Sequence, residues 1–226
     1  MSSSSPVNET SGASEASLSQ DSLNEQCNRK KSFFACIKAC FKSPHPKDVP
    51  FPKVGVRFSV FLKFIADNGG YDWFRGMTTT QVNDLILKPL TSTRKCSYCE
   101  LLQHQKHKGV GTAVVFISHA WKLKFLDVVS ALENHFKDTP DVYIWFDMFS
   151  NNQHLAGDLP FEWWTNTFKS AIHDFGRTVM VLAPWNDPIP FTRALCLFEI
   201  YSTVVTGSKF EVAMIESEKE SFINTI

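Results

Sequence analysis

The chain has 226 residues, 43% of them apolar and 20 of them phenylalanine, which is enough to bury the core of one domain. Lysine plus arginine equals aspartate plus glutamate at 23 each, so the protein has no net positive charge that would attract nucleic acid or anionic lipid. We find no uncharged apolar run of about 18 residues and no apolar leader, so neither a membrane-spanning helix nor a secretory signal is expected. Six irregularly spaced cysteines are typical of thiols in a reducing compartment, which predicts a cytoplasmic protein.

The N-terminal residues divide into a polar tail and a basic segment. Residues 1–28 are rich in Ser, Asn and Glu with almost no large apolar side chain, and we expect a disordered tail. Residues 29–52 combine a basic amphipathic segment (29–42, RKKSFFACIKACFK) with the proline-rich linker SPHPKDVPFPK. The basic segment is a candidate for reversible, palmitoylation-assisted membrane contact, or alternatively for a linker helix that docks its phenylalanines on the domain.

Residues 53–110 are predicted to form a small helical extension. Phe58, Phe61 and Ile65 recur at helical spacing before NGG, and TTTQVNDLILKPL predicts a second helix with threonines available as a cap. The stretch CSYCELLQHQKH, from Cys96 to His107, offers four residues of zinc-ligand type. Its short central spacing leaves little room to fold back, so a helix that packs on the domain is the alternative.

Residues 111–226 alternate between strand and helix patterns, which predicts an α/β domain of flavodoxin-like type, with a parallel sheet and helices on both faces. In chain order the segments are TAVVFIS (strand), FLDVVSALENHF (helix), DVYIWFDM (strand), PFEWWTNTFKSAIHDFG (helix), RTVMVLAPW (strand), FTRALCLFEIYSTVV (helix) and KFEVAMI (strand). The chain stops at Ile226, a turn or two into a new helix pattern, and we expect the domain to be C-terminally incomplete.

Candidate site residues follow the predicted strands, because ligands of open parallel sheets bind beyond the carboxyl ends of the strands. The residues at those ends are Ser118, His119, Trp121, Asp147, Phe149 and Trp185. The aromatic members could stack on the rings of a nucleotide, or could simply be core side chains.

Glu199 is the only charged residue between Arg193 and Lys209, and its neighbours on the predicted helix are apolar. Burial of an unpaired carboxylate is costly and raises its pKa, so such a residue has either a partner or a task. A structural ion pair with Arg193 or Lys122 is one explanation, and a catalytic role is the other.

These segments together resemble the Toll/interleukin-1 receptor (TIR) domain family over about residues 112–215. AVVFISHAW resembles the first strand, VYIWFDM the second strand, FSNNQHLAGDLP the BB loop, and TVMVLAPW with FTRALCLFEIYSTV the third strand and third helix. The full run also resembles uncharacterised eukaryotic TIR-like proteins. The sequence departs from the plant members at Leu195, where they often have Trp, and in SHAWK, where they have Arg-Gly-x-Asp.

The resemblance implies a signalling domain, of the kind used in innate immunity, that cleaves the nicotinamide-ribose bond of NAD upon self-association. Glu199 matches the catalytic glutamate of the third helix, the other six residues would contact NAD, and NAD is a substrate, so that no cofactor or metal is expected. The alternative that the family implies is a non-catalytic adaptor module that works by homotypic self-association.

Other enzyme classes are less well supported by the sequence. Ser118 and His119 are neighbours on a strand and point to opposite faces, so a serine hydrolase would need His154 from the next loop as its base. KGVGTAV lacks the Gly-Lys-Ser/Thr of a P-loop, and no dinucleotide-binding Gly-x-Gly-x-x-Gly is present.

Overall fold

The computed structural model describes residues 50–155, 157 and 160–225, without the side chain of Phe161. The predictions of a disordered tail and a basic amphipathic segment therefore lie outside the described residues. In the described part, no helix is both long enough and apolar enough to cross a bilayer.

The centre of the fold is a six-stranded, mostly parallel sheet with the strand order β2-β1-β4-β3-β5-β6. Strands β3 to β6 are mutually parallel, as the alternating pattern predicted, whereas β1 is antiparallel to both of its neighbours, β2 and β4. The strands are β1 (Val54–Val56), β2 (Val110–Thr112), β3 (Val115–Ser118), β4 (Ile144–Trp145), β5 (Arg177–Val181) and β6 (Lys209–Ala213).

The extension at residues 53–110 is not purely helical, because β1 and the first residue of β2 come from it and lengthen the sheet. The three-residue strand β1 is possible because Gly55 lies against the backbone of β4: a Cβ atom at Gly55 would come within 2.4 Å of the carbonyl oxygen of Ile144. Such a contact excludes every larger residue without a shift of the backbone. The extension and the α/β segment thus share one sheet.

The helices are α1 (Phe58–Asp67), α2 (Gly70–Phe74), α3 (Thr79–Val82), α4 (Lys88–Thr91), α5 (Tyr98–His104), α6 (Phe125–Phe136), α7 (Asp147–Ser150), α8 (Phe161–Phe175), α9 (Ala194–Val205) and α10 (Glu216–Ile223). The longer helices agree with the predicted ones, and the predicted helix FLDVVSALENHF, for example, is α6 from its first residue to its last. The short helices α2 and α7 were not predicted, and α7 begins inside the predicted strand DVYIWFDM, of which only Ile144–Trp145 is a strand. A π-helical turn, Asn83–Leu87, joins α3 to α4, and a 3-10 turn, Ile189–Thr192, precedes α9. The predicted threonine cap is Thr78, whose hydroxyl accepts a hydrogen bond from the Gln81 amide at 3.2 Å.

The two faces of the sheet have different interiors. Val115 and Ile117 of β3 point into the larger core, which contains α1 and α6, whereas Phe116 and Trp145 pack against α8 on the opposite face. Because side chains alternate along a strand, Ser118 shares the face of Phe116. Helix α9 covers this second face as well, so the end of β3 presents a polar side chain to α9.

Candidate functional site

Helix α9 buries polar side chains and exposes apolar ones. Its buried residues are Cys196, Glu199, Ser202 and Thr203, which recur at the three- and four-residue spacing of one helix face. The Thr203 hydroxyl, for example, donates a hydrogen bond to the Thr178 hydroxyl of β5 at 2.9 Å. The single carboxylate in this apolar sequence is therefore directed toward the sheet and not toward water.

Glu199 is held by the last residue of β3. The Ser118 hydroxyl donates a hydrogen bond to Glu199 Oε2 at 2.5 Å, and both side chains are buried. Burial raises the pKa of Glu199 to about 8, against the effect of the Ser118 hydrogen bond and with a further contribution from the nearby Asp147 carboxylate. The Glu199 carboxyl group thus changes between its neutral and ionised forms close to neutral pH, as a general acid or base does.

Glu199 lies in the wall of an open cavity of ≈ 330 Å³ at the carboxyl edge of the parallel strands. We call this space the Glu199 cavity. Besides Glu199, its walls include His119, Trp121, Asp147, Trp164 and Arg193. This is the position at which doubly wound α/β folds bind ligands, and the volume lies at the lower end of the range for small-molecule sites.

A second carboxylate, Asp147, lies across the cavity at the N-terminus of α7. It accepts hydrogen bonds from Trp121 Nε1 and, at 2.7 Å, from the backbone amide of Met148. Burial raises the pKa of Asp147, whereas His119 and the two hydrogen bonds oppose the rise. The Trp121 ring is consequently fixed in the cavity wall through its indole nitrogen.

His119 is a buried imidazole without hydrogen-bond partners among the described residues. Its ring stacks on Phe146 with centroids 4.6 Å apart, and neither Nδ1 nor Nε2 is hydrogen-bonded. The nearest charged atom, Asp147 Oδ1, is 3.7 Å from Nδ1. Burial lowers the pKa of His119 despite Asp147, so the ring is neutral and holds one donor and one acceptor that are buried behind the cavity wall.

The structure brings together five of the seven residues selected from the sequence. Ser118, His119, Trp121, Asp147 and Glu199 meet at the Glu199 cavity, either in its wall or through the Ser118–Glu199 hydrogen bond.

Phe149 and Trp185 lie elsewhere, contrary to the prediction. Phe149 is fully buried in the larger core against Phe61, because the chain turns into α7 directly after β4 and carries this ring inward. Trp185 packs on Phe222, and its indole nitrogen donates to the Ser221 hydroxyl at 3.0 Å, so α10 holds it away from the cavity.

The alternatives to a catalytic Glu199 can also be compared with the structure. Neither Arg193 nor Lys122 forms an ion pair with Glu199 in the described part of the chain, and Ser118 is the hydrogen-bond partner. His154 bonds to the Thr91 hydroxyl at 2.9 Å, so it does not serve Ser118 as a base.

The cysteine and histidine stretch forms a packed helix in place of a zinc cluster. Helix α5 begins with a capping box between Ser97 and Glu100 and buries Tyr98 and Leu102. Cys99 lies 3.8 Å from the Ser150 hydroxyl, and burial raises its pKa to about 12. Among the described residues, no group of three or more His, Cys, Asp or Glu side chains is arranged to hold a metal ion.

Several residues of the cavity wall were not predicted as site residues from the sequence, and Asn151 and Trp164 are two of them. Neither follows a strand directly: Asn151 is the C-cap residue that follows the short helix α7, and Trp164 is on the first turns of α8. Their positions depend on how α7 and α8 pack against the sheet, and the local pattern carries no signal for that packing.

Comparison of the chain with protein-family models, with curated proteins and with solved structures finds no match.

Proposed function

We propose that this chain is a TIR-like signalling domain that cleaves the nicotinamide-ribose bond of NAD when copies of it associate, with Glu199 as the catalytic carboxylate. The observation that carries the proposal is the location of Glu199: it is the one carboxylate on the buried face of α9, and it lines a cavity at the ligand edge of the sheet. A ligand in that cavity would contact Glu199 directly.

The chemistry of the reaction accounts for a carboxylate at the position of Glu199. When the bond between the ribose C1′ and the pyridinium nitrogen breaks, its electron pair leaves with nicotinamide, which becomes neutral, and positive charge develops on the ribose. An adjacent anion stabilises this oxocarbenium-like centre, as in glycoside hydrolysis. Water then adds to C1′ and releases a proton, and the second product is ADP-ribose. No general acid is needed because the leaving group takes no proton.

The remaining wall residues support the binding of a nucleotide. Trp121 and Trp164 provide flat apolar surfaces for a ring. Arg193, which has no ion-pair partner among the described residues, offers a cation to phosphate.

The direct test is nicotinamide release from NAD by concentrated or crowded protein. Wild type and Glu133→Gln should release nicotinamide, and Glu199→Gln should lose at least about a hundredfold in kcat, since an electrostatic contact to the transition state is removed. Glu133 is a suitable control because it is exposed on α6, away from the cavity. Equal turnover by the two glutamine variants would refute the assignment of Glu199.

A second candidate function, a non-catalytic module for self-association, is favoured by the outer face of α9. Leu197, Tyr201, Val204 and Val205 are exposed there, and Val204 is 69% exposed. These residues lie at i, i+4, i+7 and i+8 and form one stripe, which we call the α9 stripe. A stripe of this kind marks an interaction surface.

The occupant that fits the α9 stripe best is a second copy of this chain. The stripe contains no charged side chain, so two copies can face each other without like-charge repulsion, and a charged partner would find no counter-charge on it. The predicted BB-loop segment FSNNQHLAGDLP is an additional candidate contact, although several of its residues lie outside the described part of the chain.

Sedimentation velocity tests this surface. Wild type should self-associate with rising concentration, and the double variant Leu197→Lys, Val204→Lys should remain monomeric because it places four ammonium groups in the interface. Leu85→Lys is the control, since Leu85 is 62% exposed but distant from α9 in the sequence. A wild type that is monomeric at every soluble concentration, or a double variant that associates as well as wild type, would refute the α9 stripe as the contact.

A further inference from the structure

A second cavity of ≈ 330 Å³ adjoins the Glu199 cavity, and the two share the lining residues Asn151 and Trp164. We call it the aromatic cleft. It lies where the segment before β1, helix α5, the loop after α7 and the first turns of α8 meet. Its lining includes Phe51, Gln103, Asn151, Leu155, Trp163 and Trp164.

The walls of the cleft are flat and apolar. Phe51 stacks on Trp145 with ring centroids 5.1 Å apart, and Trp163 and Trp164 meet edge to face at 4.8 Å. These contacts fix the rings, so they can receive another ring without a large loss of side-chain entropy. Leu155, which is 37% exposed, contributes a further apolar surface at the margin.

The carboxylate at the rim of the cleft repels phosphate and therefore favours the binding of an uncharged ring. Glu100 lines the cleft and accepts a hydrogen bond from the Ser97 amide at 2.7 Å, which fixes its carboxylate there. The side-chain amide of Gln103 has no hydrogen-bond partner among the described residues. It is therefore available to the polar edge of a ring. The charged groups of a nucleotide fit better beside Arg193 in the Glu199 cavity.

Asn151 connects the two spaces. It is buried at 6% exposure and lines both cavities. Its backbone amide donates to the Asp147 carbonyl oxygen, and its side-chain amide makes no hydrogen bond in the described part of the chain, although it is not among the buried polar groups that lack a partner. The side-chain amide is therefore accessible, and a ligand that extends from one cavity into the other could hydrogen-bond to it.

Each cavity alone lies at the low end of the range for small-molecule sites, whereas a dinucleotide needs room for two rings joined by two riboses and a pyrophosphate. We propose that the aromatic cleft binds the adenine ring of a dinucleotide whose nicotinamide-ribose end occupies the Glu199 cavity, so that the substrate class is a dinucleotide and not a mononucleotide. This inference rests on the proposed function and adds to it the site that distinguishes the two substrates.

Steady-state kinetics with two substrates test the inference. NAD and nicotinamide mononucleotide contain the same scissile bond, but only NAD carries adenosine. In Leu155→Trp the added indole fills the cleft, so the KM for NAD should rise about tenfold, the effect of losing one base-stacking contact, with kcat unchanged. The KM for the mononucleotide should not rise. Leu90→Trp, at a leucine that is 43% exposed and lines neither cavity, is the matched control.

An equal rise in KM for both substrates, or no rise for NAD, would overturn the assignment of the cleft. Calorimetric titration with adenosine, an uncharged probe, separates this failure from failure of the proposed function. If wild type cleaves neither substrate, saturable adenosine binding that is retained in Glu199→Gln and Leu90→Trp but lost in Leu155→Trp still supports the cleft as an adenine site. The absence of adenosine binding to wild type would refute it.

Discussion

Helices α6 and α9 each have 12 residues and cover opposite faces of the same sheet, yet they bury opposite kinds of side chain. Helix α6 directs Phe125, Val128 and Leu132 into the larger core and leaves Ser130 and Glu133 exposed, as hydrophobic burial requires. Helix α9 directs a carboxylate, hydroxyls and a thiol inward and exposes its large apolar residues. The difference indicates that α6 is built for stability, whereas α9 carries the site on one face and a contact surface on the other.

The largest effect should come from a cavity in α6. Leu132→Ala removes a fully buried side chain and is expected to lower the free energy of unfolding by about 2–5 kcal/mol, measured by urea denaturation. A loss below about 0.5 kcal/mol would show that α6 does not anchor the core, and the contrast with α9 would disappear.

Glu199→Gln should stabilise the protein at high pH, which no substitution on the inner face of α6 would do. The folded-state pKa of about 8 exceeds the ordinary value of 4.5, so the wild-type protein loses stability as the pH rises from 4.5 to 8, because in this range the unfolded chain releases the Glu199 proton and the folded chain retains it. Relative to the variant, the loss is about 1.4 kcal/mol for each pH unit in that range.

Melting temperatures at pH 5 and pH 9 measure this difference, with Glu133→Gln as the control for general effects of pH. The gap between Glu199→Gln and wild type should be larger at pH 9 than at pH 5. A gap that is constant between these pH values would mean that Glu199 keeps an ordinary pKa in the folded state.

Ser118→Ala should have an intermediate effect. Its hydroxyl donates to Glu199 and thereby lowers the pKa of that carboxyl, so its loss moves the titration of Glu199 to higher pH. We expect an upward shift of about one pH unit, which corresponds to the strength of a hydrogen bond to a charged group. Carboxyl-labelled NMR of the variant would detect it, and a downward shift would contradict the described geometry.

The smallest effect is expected on the outer face of α9. Val204→Ala should change the free energy of unfolding of the monomer by less than about 0.5 kcal/mol, because the side chain is mostly exposed. The same measurement at dilute concentration should be used for Leu132→Ala, so that the two helices are compared directly. A loss of more than about 1 kcal/mol in Val204→Ala would show that another part of the chain covers this face.

The comparison also shows which features the sequence predicts. Helix α6 has a strong apolar period, and its limits at Phe125 and Phe136 follow from that period. Strands β1 and β2 have three residues each with a central glycine, VGV and VGT, and they are strands only because a neighbour supplies hydrogen bonds. The sequences of such strands contain no local pattern from which a strand could be predicted.

The sequence predicts those parts of the candidate site that lie at the carboxyl ends of the strands. Ser118 and Asp147 follow neighbouring strands and do meet at one edge, and the isolated Glu199 joins them from α9. The strand-end argument gives the wrong position for Phe149, because the chain turns into α7 directly after β4 and directs that ring into the core. Trp164 depends on the packing of a whole helix, which a local pattern does not contain.

The central claim is that Glu199 acts as an anion in the Glu199 cavity, and the pH dependence of kcat/KM for nicotinamide release tests it most directly, because kcat/KM follows the ionisation of the free enzyme. With a pKa of about 8, kcat/KM should rise about tenfold per pH unit below that value and level off above it, because only the ionised carboxyl stabilises the developing charge. Glu133→Gln should reproduce this profile. A kcat/KM that is independent of pH between 6 and 9, or that falls as the pH rises through 8, would contradict the claim.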